Sequence, residues 1–163
     1  MAKKTKIAGT PALRALKAAA IDFEPKLYDY VKRGGTRSSS GALGVDEHEV
    51  IKTLIFEDEN KNPFVVCMHG DQEVSAKELA RVLGVKSVGP CDPVTAQRHS
   101  GYKVGGTSPF GLRKNMPVYV EGSILDLPQI HINGGARGLL VRLAPAALEK
   151  LCGAQAVDVA RSR

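Results

Sequence analysis

The amino-acid sequence predicts a single compact α+β domain on a mixed β-sheet, and three observations lead there. A chain of 163 residues fits one ordinary hydrophobic core and needs no disulfide staple. Candidate strands and helices intermix along it without the strict strand–helix–strand alternation of a doubly wound sheet. No internal repeat marks a solenoid or propeller.

The elements follow in order. Thr10 and Pro11 read as an N-cap and a first helical residue, and Leu13, Leu16 and Ala20 mark one face, so a helix is predicted over residues 11–19. Ile21, Phe23 and Leu27 alternate with polar residues, and Pro25 confines that strand to a sheet edge. Residues 32–41 are rich in glycine, serine and basic side chains and read as a loop over a site or as plain linker. Residues 51–57 and 63–69 form a hairpin across the polar turn Asp58-Glu59-Asn60-Lys61-Asn62. Ser75 and Glu78 make a capping box and Gly84 a C-terminal stop, which places a helix over residues 76–83. Residues 85–88 are a short strand candidate, and Asp92-Pro93 opens a helix to about residue 99, with Gly101 past its end. Residues 118–120, 130–132 and 139–143 are apolar strands. Pro145 opens a helix towards Leu151, and residues 156–159 form a last strand.

A formal charge of +6 and a pI near 9.3 favour a polyanionic partner such as nucleic acid, held by a term that salt would weaken. The scattered Lys32, Arg33, Arg37, Lys103, Arg113, Lys114 and Arg137 fit that partner or a plain solvated face. Cys67, Cys91 and Cys152 are odd in number and widely spaced, which argues against a disulfide framework or a zinc ribbon and for a reduced, cytoplasmic protein. The basic start at Met1 is followed by no apolar h-region, and no stretch approaches the ~18 apolar residues of a membrane span. Residues 1–9 are therefore expected to be a flexible basic end, with the domain over 10–163.

Two glycine-rich segments carry the functional signal: Gly105-Gly106-Thr107-Ser108-Pro109-Phe110-Gly111 and Asn133-Gly134-Gly135-Ala136-Arg137-Gly138. Glycine reaches positive φ and has no Cβ to hold a ligand away, so such loops can turn several backbone N–H groups towards one point and cradle an anion or oxyanion. Lys52, inside the run Ile51-Lys52-Thr53-Leu54-Ile55-Phe56, adds a cation. Together they suggest a site for a negatively charged ligand that develops charge in a reaction. Taken singly they are two tight turns and a strand lysine.

Several chemistries fail on spacing. Gly106 to Gly111 has the glycine spacing of a P-loop, but Leu112 stands at the lysine position, so ATP hydrolysis is not expected. Gly106-Thr107-Ser108-Pro109 begins a nucleophile elbow, but Phe110 replaces its second glycine, and Ser108 reads as a loop hydroxyl. His48, His69, His99 and His131 show no metal-ligand spacing, so neither a metal nor another cofactor is expected. Cys67 lies in an apolar run and reads as a core residue. Such a site works through backbone donors and Lys52, and suits a substrate that brings its own nucleophile.

Lys52 in Ile51-Lys52-Thr53-Leu54, Asp92-Pro93 with Gln97-Arg98, Gly101-Tyr102 leading into Gly105-Gly106-Thr107-Ser108-Pro109, and Gly135-Ala136-Arg137-Gly138-Leu139 together resemble the YbaK/EbsC aminoacyl-tRNA deacylases, relatives of the editing domain of bacterial prolyl-tRNA synthetases. The likeness runs from about Thr10 to the C-terminus, keeps the motif order and favours the Cys-tRNA(Pro) deacylase branch. It implies a curved mixed sheet with flanking helices, and trans-editing that removes cysteine misattached to proline tRNA. Cysteine and proline are similar in size, and one methylene gives a pocket only ~1–3 kcal/mol of discrimination, so a second sieve is needed. In the family's proposed mechanism the substrate thiol attacks its own ester and leaves as a thiolactone.

By the resemblance, Lys52 holds the phosphate or ribose of the terminal adenosine. The backbone of Gly105, Gly106, Thr107, Ser108 and Pro109 binds the ester oxygen. Tyr28 lines the pocket, and Asn133, Gly134, Gly135, Arg137 and Gly138 form the facing wall. The partners implied are mischarged tRNA(Pro) and prolyl-tRNA synthetase, with no membrane, and the expected assembly is a monomer or weak dimer. The chain departs from the pattern at Asn133, where a serine is expected, at Leu140, where an aspartate is expected, and between residues 32 and 41, where a phenylalanine is missing. Leucine cannot replace a carboxylate's hold on a cationic amine, so the departures bear on which amino acid is accepted. Ala-tRNA(Pro) editing, a noncatalytic tRNA-binding module and a small-anion-binding domain are the rival readings.

Overall fold

The computed structural model describes residues 9–163. The basic end expected at the start of the chain lies, apart from Gly9, outside the described residues. The elements are α1 (Pro11–Ala18), β1 (Glu24–Leu27), α2 (Gly35–Leu43), β2 (Val50–Asp58), β3 (Pro63–His69), β4 (Gln72–Val74), α3 (Ala76–Leu83), β5 (Val88–Pro90), α4 (Pro93–Ser100), β6 (Val118–Glu121), β7 (Ile130–Ala136), β8 (Leu139–Leu143), α5 (Ala146–Cys152), β9 (Gln155–Val157) and β10 (Ala160–Ser162). Together they build the α+β domain on a mixed, curved sheet that the sequence predicts.

The main sheet runs β1-β8-β7-β2-β3-β6-β9, with β5 also on β2. β2/β7, β3/β6 and β6/β9 are parallel, and the other pairs are antiparallel. β3, beside the middle strand β2, is apolar on both faces: Val65 and Cys67 enter the larger core, with α1 and α5, while Phe64, Val66 and Met68 enter a smaller one against Leu79 of α3. Burial on both sides is why Phe64-Val65-Val66-Cys67-Met68 reads as an unbroken apolar run. β1, with its Pro25, lies at the sheet edge as predicted.

Local capping chemistry fixed three helix starts. Thr10 Oγ1 accepts from Leu13 N–H at 3.1 Å, Ser75 Oγ from Glu78 N–H at 3.2 Å, and Asp92 Oδ1 from Thr95 N–H at 2.9 Å. α3 and α4 both end on a left-handed glycine, Gly84 and Gly101. Ala20, counted on the first helical face, instead lies past α1 with φ of 55°.

Other expectations are corrected. Residues 32–41 are not a loop: α2 occupies most of that stretch. The buried Ser39 and Ser40 donate back to the carbonyls of Thr36 and Arg37, while Thr36 Oγ1 bonds the Glu47 carboxylate (2.7 Å) and Gly70 O (3.2 Å). Docking of this kind overrides a composition that disfavours helix. The expected strand over 85–88 forms later, at β5. The one over 156–159 ends early, as β9 on the main sheet, and beyond it an unforeseen β10 pairs with the equally unforeseen β4. β7 runs on to Ala136, so the second glycine segment is strand with a register shift between Asn133 and Ala136. Among the described residues no helix is long and apolar enough to cross a membrane.

Leu79 is fully buried and joins α3 to the smaller core. Leu79→Ala is expected to lower the unfolding free energy by about 2–5 kcal/mol in urea titrations. A loss below about 1 kcal/mol would mean that α3 does not hold that core together.

Candidate active site

The site starts from an interrupted edge of β2. β7 pairs with it only at Val50 and Ile51, and β5 only at Phe56, Glu57 and Asp58. Residues 52–54 lie between, without a ladder partner on that edge. Side chains alternate along a strand and cross-strand partners share a face. Ile51 and Ile55 point into the larger core, so Lys52 and Leu54 point the other way. Asn133, two residues past the His131 that pairs with Val50, shares the face of Lys52. Leu140 opposite Asn133, and Lys26 opposite Leu140, continue that face to β1. Tyr28, whose N–H donates to Gly138 O at 3.0 Å, closes the row. Tyr28, Lys52 and Asn133, from three distant segments, thus stand on one face of the sheet.

The first glycine segment lies at the end of this row. Asn133 Nδ2 donates to Gly105 O at 3.2 Å, and Arg137 Nε to Val104 O at 2.9 Å. Asn133 Oδ1 accepts from Gly135 and Ala136 N–H at 2.6 and 3.1 Å, which leaves one amide hydrogen for a ligand. A Cβ on Gly106 would stand 2.9 Å from Arg137 N and 3.0 Å from the Ala136 carbonyl carbon, so the two segments touch backbone to backbone and only glycine fits. Buried hydroxyls anchor the two loops: Tyr102 Oη donates to Phe110 O at 2.6 Å, and Thr10 Oγ1 to Gly134 O at 2.5 Å.

Gly106 N–H donates to Lys103 O at 2.8 Å, closing a turn, whereas Gly105, Thr107 and Ser108 N–H reach no acceptor among the described residues. Ser108 is closed to any ligand, so Gly105, which is exposed, and Thr107, which is half-buried, carry the loop's uncommitted donors, the kind of group an oxyanion requires. Ser108 is fully buried and its Oγ accepts from Phe110 N–H at 3.2 Å, so its hydroxyl is spent inside the loop. Pro109 offers no N–H; its carbonyl takes the Cys152 thiol at 3.4 Å.

No hydrogen bond joins Lys52 to either glycine segment among the described residues. Burial draws its ammonium below the usual lysine range, Glu73, Glu47 and Asp71 push it back up, and Arg163 acts with burial. Burial likewise raises Tyr28 above the usual tyrosine range. Leu140 is buried and apolar, and Glu24, the carboxylate on the same face, is taken by Lys26 and Arg142. No thiol is primed as a nucleophile: burial drives Cys67 far up, Cys91 up to about 11 and Cys152 up to about 12.

Spacing did not single out two features. His131 shares the face of Lys52 and Asn133; its side chain is buried, its Nδ1 has no partner among the described residues, and burial holds it below the usual histidine range. A lone histidine in an apolar run gives no signal of this. His48, His69 and Asp71 also come together. The two rings stack 3.7 Å apart at 6°, His48 Nδ1 meets Asp71 at 2.9 Å, and His69 meets His48 O and Ser123 Oγ at 2.7 Å each. Parallel rings cannot both aim in-plane lone pairs at one ion, and the protein already satisfies these nitrogens.

A family model described as the aminoacyl-tRNA editing domain matches residues 37–151. The chain belongs to that family. It is 28% identical, over 98% of both chains, to EbsC of Enterococcus faecalis, provisionally named a Cys-tRNA(Pro)/Cys-tRNA(Cys) deacylase. It is 33% identical to a proline–tRNA ligase of Thermodesulfovibrio yellowstonii over 56% of this chain and 16% of the ligase. A solved structure described provisionally as a trans-editing enzyme for prolyl-tRNA synthetase shares the fold, with a TM-score of 0.80 and 21% identity, over 96% of this chain and 100% of that one. The matched span of this editing domain holds Lys52 and both glycine segments.

Two outcomes follow from the packing of the site. Gly106→Ala is expected to cost about 1–3 kcal/mol, because the new methyl must push two backbones apart; an unchanged Tm would show that the loops yield freely. His69 and His131 are held neutral by burial. The unfolded chain, with histidine near pKa ~6.5, binds more protons below that pH, so stability should be full above it and fall as pH drops towards 5. Urea midpoints at pH 7.5 and 5.5 test this, and His131→Asn should flatten the difference.

Proposed function

We propose that this editing domain is a cytoplasmic trans-acting deacylase that removes cysteine from mischarged Cys-tRNA(Pro). One observation carries the reading. The loop that carries backbone N–H groups without acceptors is held by Asn133, which shares a sheet face with the half-buried Lys52, and no thiol there is activated. The name of the Enterococcus relative supports the substrate. The domain shared with proline–tRNA ligases supports a partnership with prolyl-tRNA synthetase.

Lys52 holds the phosphate or ribose of the terminal nucleoside, and Tyr28 and residues 135–138 flank the aminoacyl group. The substrate thiol attacks its own ester carbonyl carbon, forming a carbon–sulfur bond and an oxyanion that the Gly105 and Thr107 N–H groups stabilise. Collapse breaks the carbon–oxygen bond to the ribose. The ribose oxygen takes up the proton lost by the thiol, and the products are tRNA and a cyclic thiolactone. Each such donor is worth about 2.7–4 kcal/mol in related chemistry. A second reading, editing of Ala-tRNA(Pro), is favoured by the buried Leu140 and the occupied Glu24 carboxylate, which suit a small apolar group; it requires an activated water.

Incubation with Cys-tRNA(Pro), Ala-tRNA(Pro) and S-alkylated Cys-tRNA(Pro) tests the proposal. Rapid loss of the cysteinyl ester alone is expected, stopped by alkylation and lowered at least about tenfold by Lys52→Ala, which corresponds to ~1.4 kcal/mol. Loss of the alanyl ester supports the second reading. No turnover of any ester sinks both and leaves a binding module.

A further inference from the structure

Exposed large apolar side chains cluster beside the glycine cradle. Tyr30, Val31 and Val104 are 36%, 54% and 49% exposed. They stand on two segments that meet at Gly105, where φ is +87° and a Cβ would fall 2.7 Å from Tyr30 Oη and 3.0 Å from Cε2. The Tyr30 ring therefore lies against the cradle's own backbone. The Arg137 guanidinium stands 5.2 Å from the ring centroid, steadied by its Nε bond to Val104 O at 2.9 Å. Lys32, Arg33 and Lys103 are exposed on the same segments, and neither they nor Arg137 form a salt bridge among the described residues.

An exposed ring, a planar cation fixed over it and nearby unneutralised charge make a surface on which a nucleobase can stack while its phosphates are held. A protein-binding patch would gain little from so many uncompensated cations. The position adds a geometric reason. An ester on a ribose hydroxyl has its base one sugar away, and Tyr30 abuts the loop whose donors face the ester. We propose that Tyr30 and Arg137 form a stacking seat for an unpaired nucleobase at the 3′ end of the bound RNA. This deepens the deacylase reading and rests on it. Arg137 acts through its plane, and Tyr30 through its ring rather than its hydroxyl.

The test uses an uncharged acceptor-stem hairpin whose 3′-terminal adenine is replaced by 2-aminopurine, titrated with the whole chain. The protein has no tryptophan to mask the signal. Binding should quench the fluorescence. Tyr30→Leu should abolish the quenching and weaken binding at least about fivefold, Tyr30→Phe should keep both, and Arg137→Gln should reduce both. A hairpin lacking the terminal nucleotide should bind the unaltered protein more weakly. Equal affinity for the two hairpins, or equal quenching by Tyr30→Leu, overturns the seat and leaves deacylation standing, as it would if the patch takes a protein instead. Failure to bind either hairpin, with no turnover of charged tRNA, overturns the seat and the deacylase reading together.

Discussion

The contact on which the site depends is the meeting of two backbones, at Gly106 on one side and at Ala136 and Arg137 on the other. No side chain separates them, and a methyl group would not fit. Asn133 then bridges the segments, its oxygen holding the turn of β7 and its nitrogen holding Gly105 O. Through these bonds the first loop is fixed to the main sheet and keeps its uncommitted N–H groups in place without a ligand. Preorganised donors of this kind need no rearrangement as charge develops on a reacting carbonyl.

A second constraint is the divided edge of β2. β7 and β5 take its two ends, and Lys52 emerges between them half-buried, its ammonium drawn down by burial against the opposing pull of Glu73, Glu47 and Asp71. The smaller core beneath α3 and the larger one beneath α1 hold β3 rigid against β2. The Lys52 backbone is laddered to this doubly packed strand on one side, through Met68. The loops on one side and the strand on the other frame a face that carries cations, a tyrosine and a buried leucine, and no activated nucleophile. Chemistry supplied by the substrate suits such a face.

Much of this was legible before the fold. The caps at Thr10, Ser75 and Asp92 are interactions within a single turn, so their residue pattern is enough to find them. The glycine segments and Lys52 stood out because residue type there is restricted by local geometry. α2 did not, because its helix is held by Thr36 bonds to Glu47 and Gly70, far along the chain. β4 and β10 are three residues each and exist only as each other's partner. Tyr30 carries no signal in the sequence, because its place rests on contacts with Gly105 and Arg137 from segments about 75 and more than 100 residues away.

The sequence by itself determined the α+β class, the central hairpin, the three capped helices, both glycine segments and the resemblance to an aminoacyl-tRNA deacylase family. All of these are written in short-range patterns: periodicity, caps, turn residues and motif order. Only the tertiary structure decided that Tyr28, Lys52, Asn133, Leu140 and His131 share one face, that Asn133 spends its oxygen inside its own turn, and that Ser108 is closed off. Those facts depend on strand register and on side chains meeting across more than a hundred residues of chain, as Thr10 meets Gly134. Register is set by the packing of both cores at once, and no local stretch of sequence contains that information.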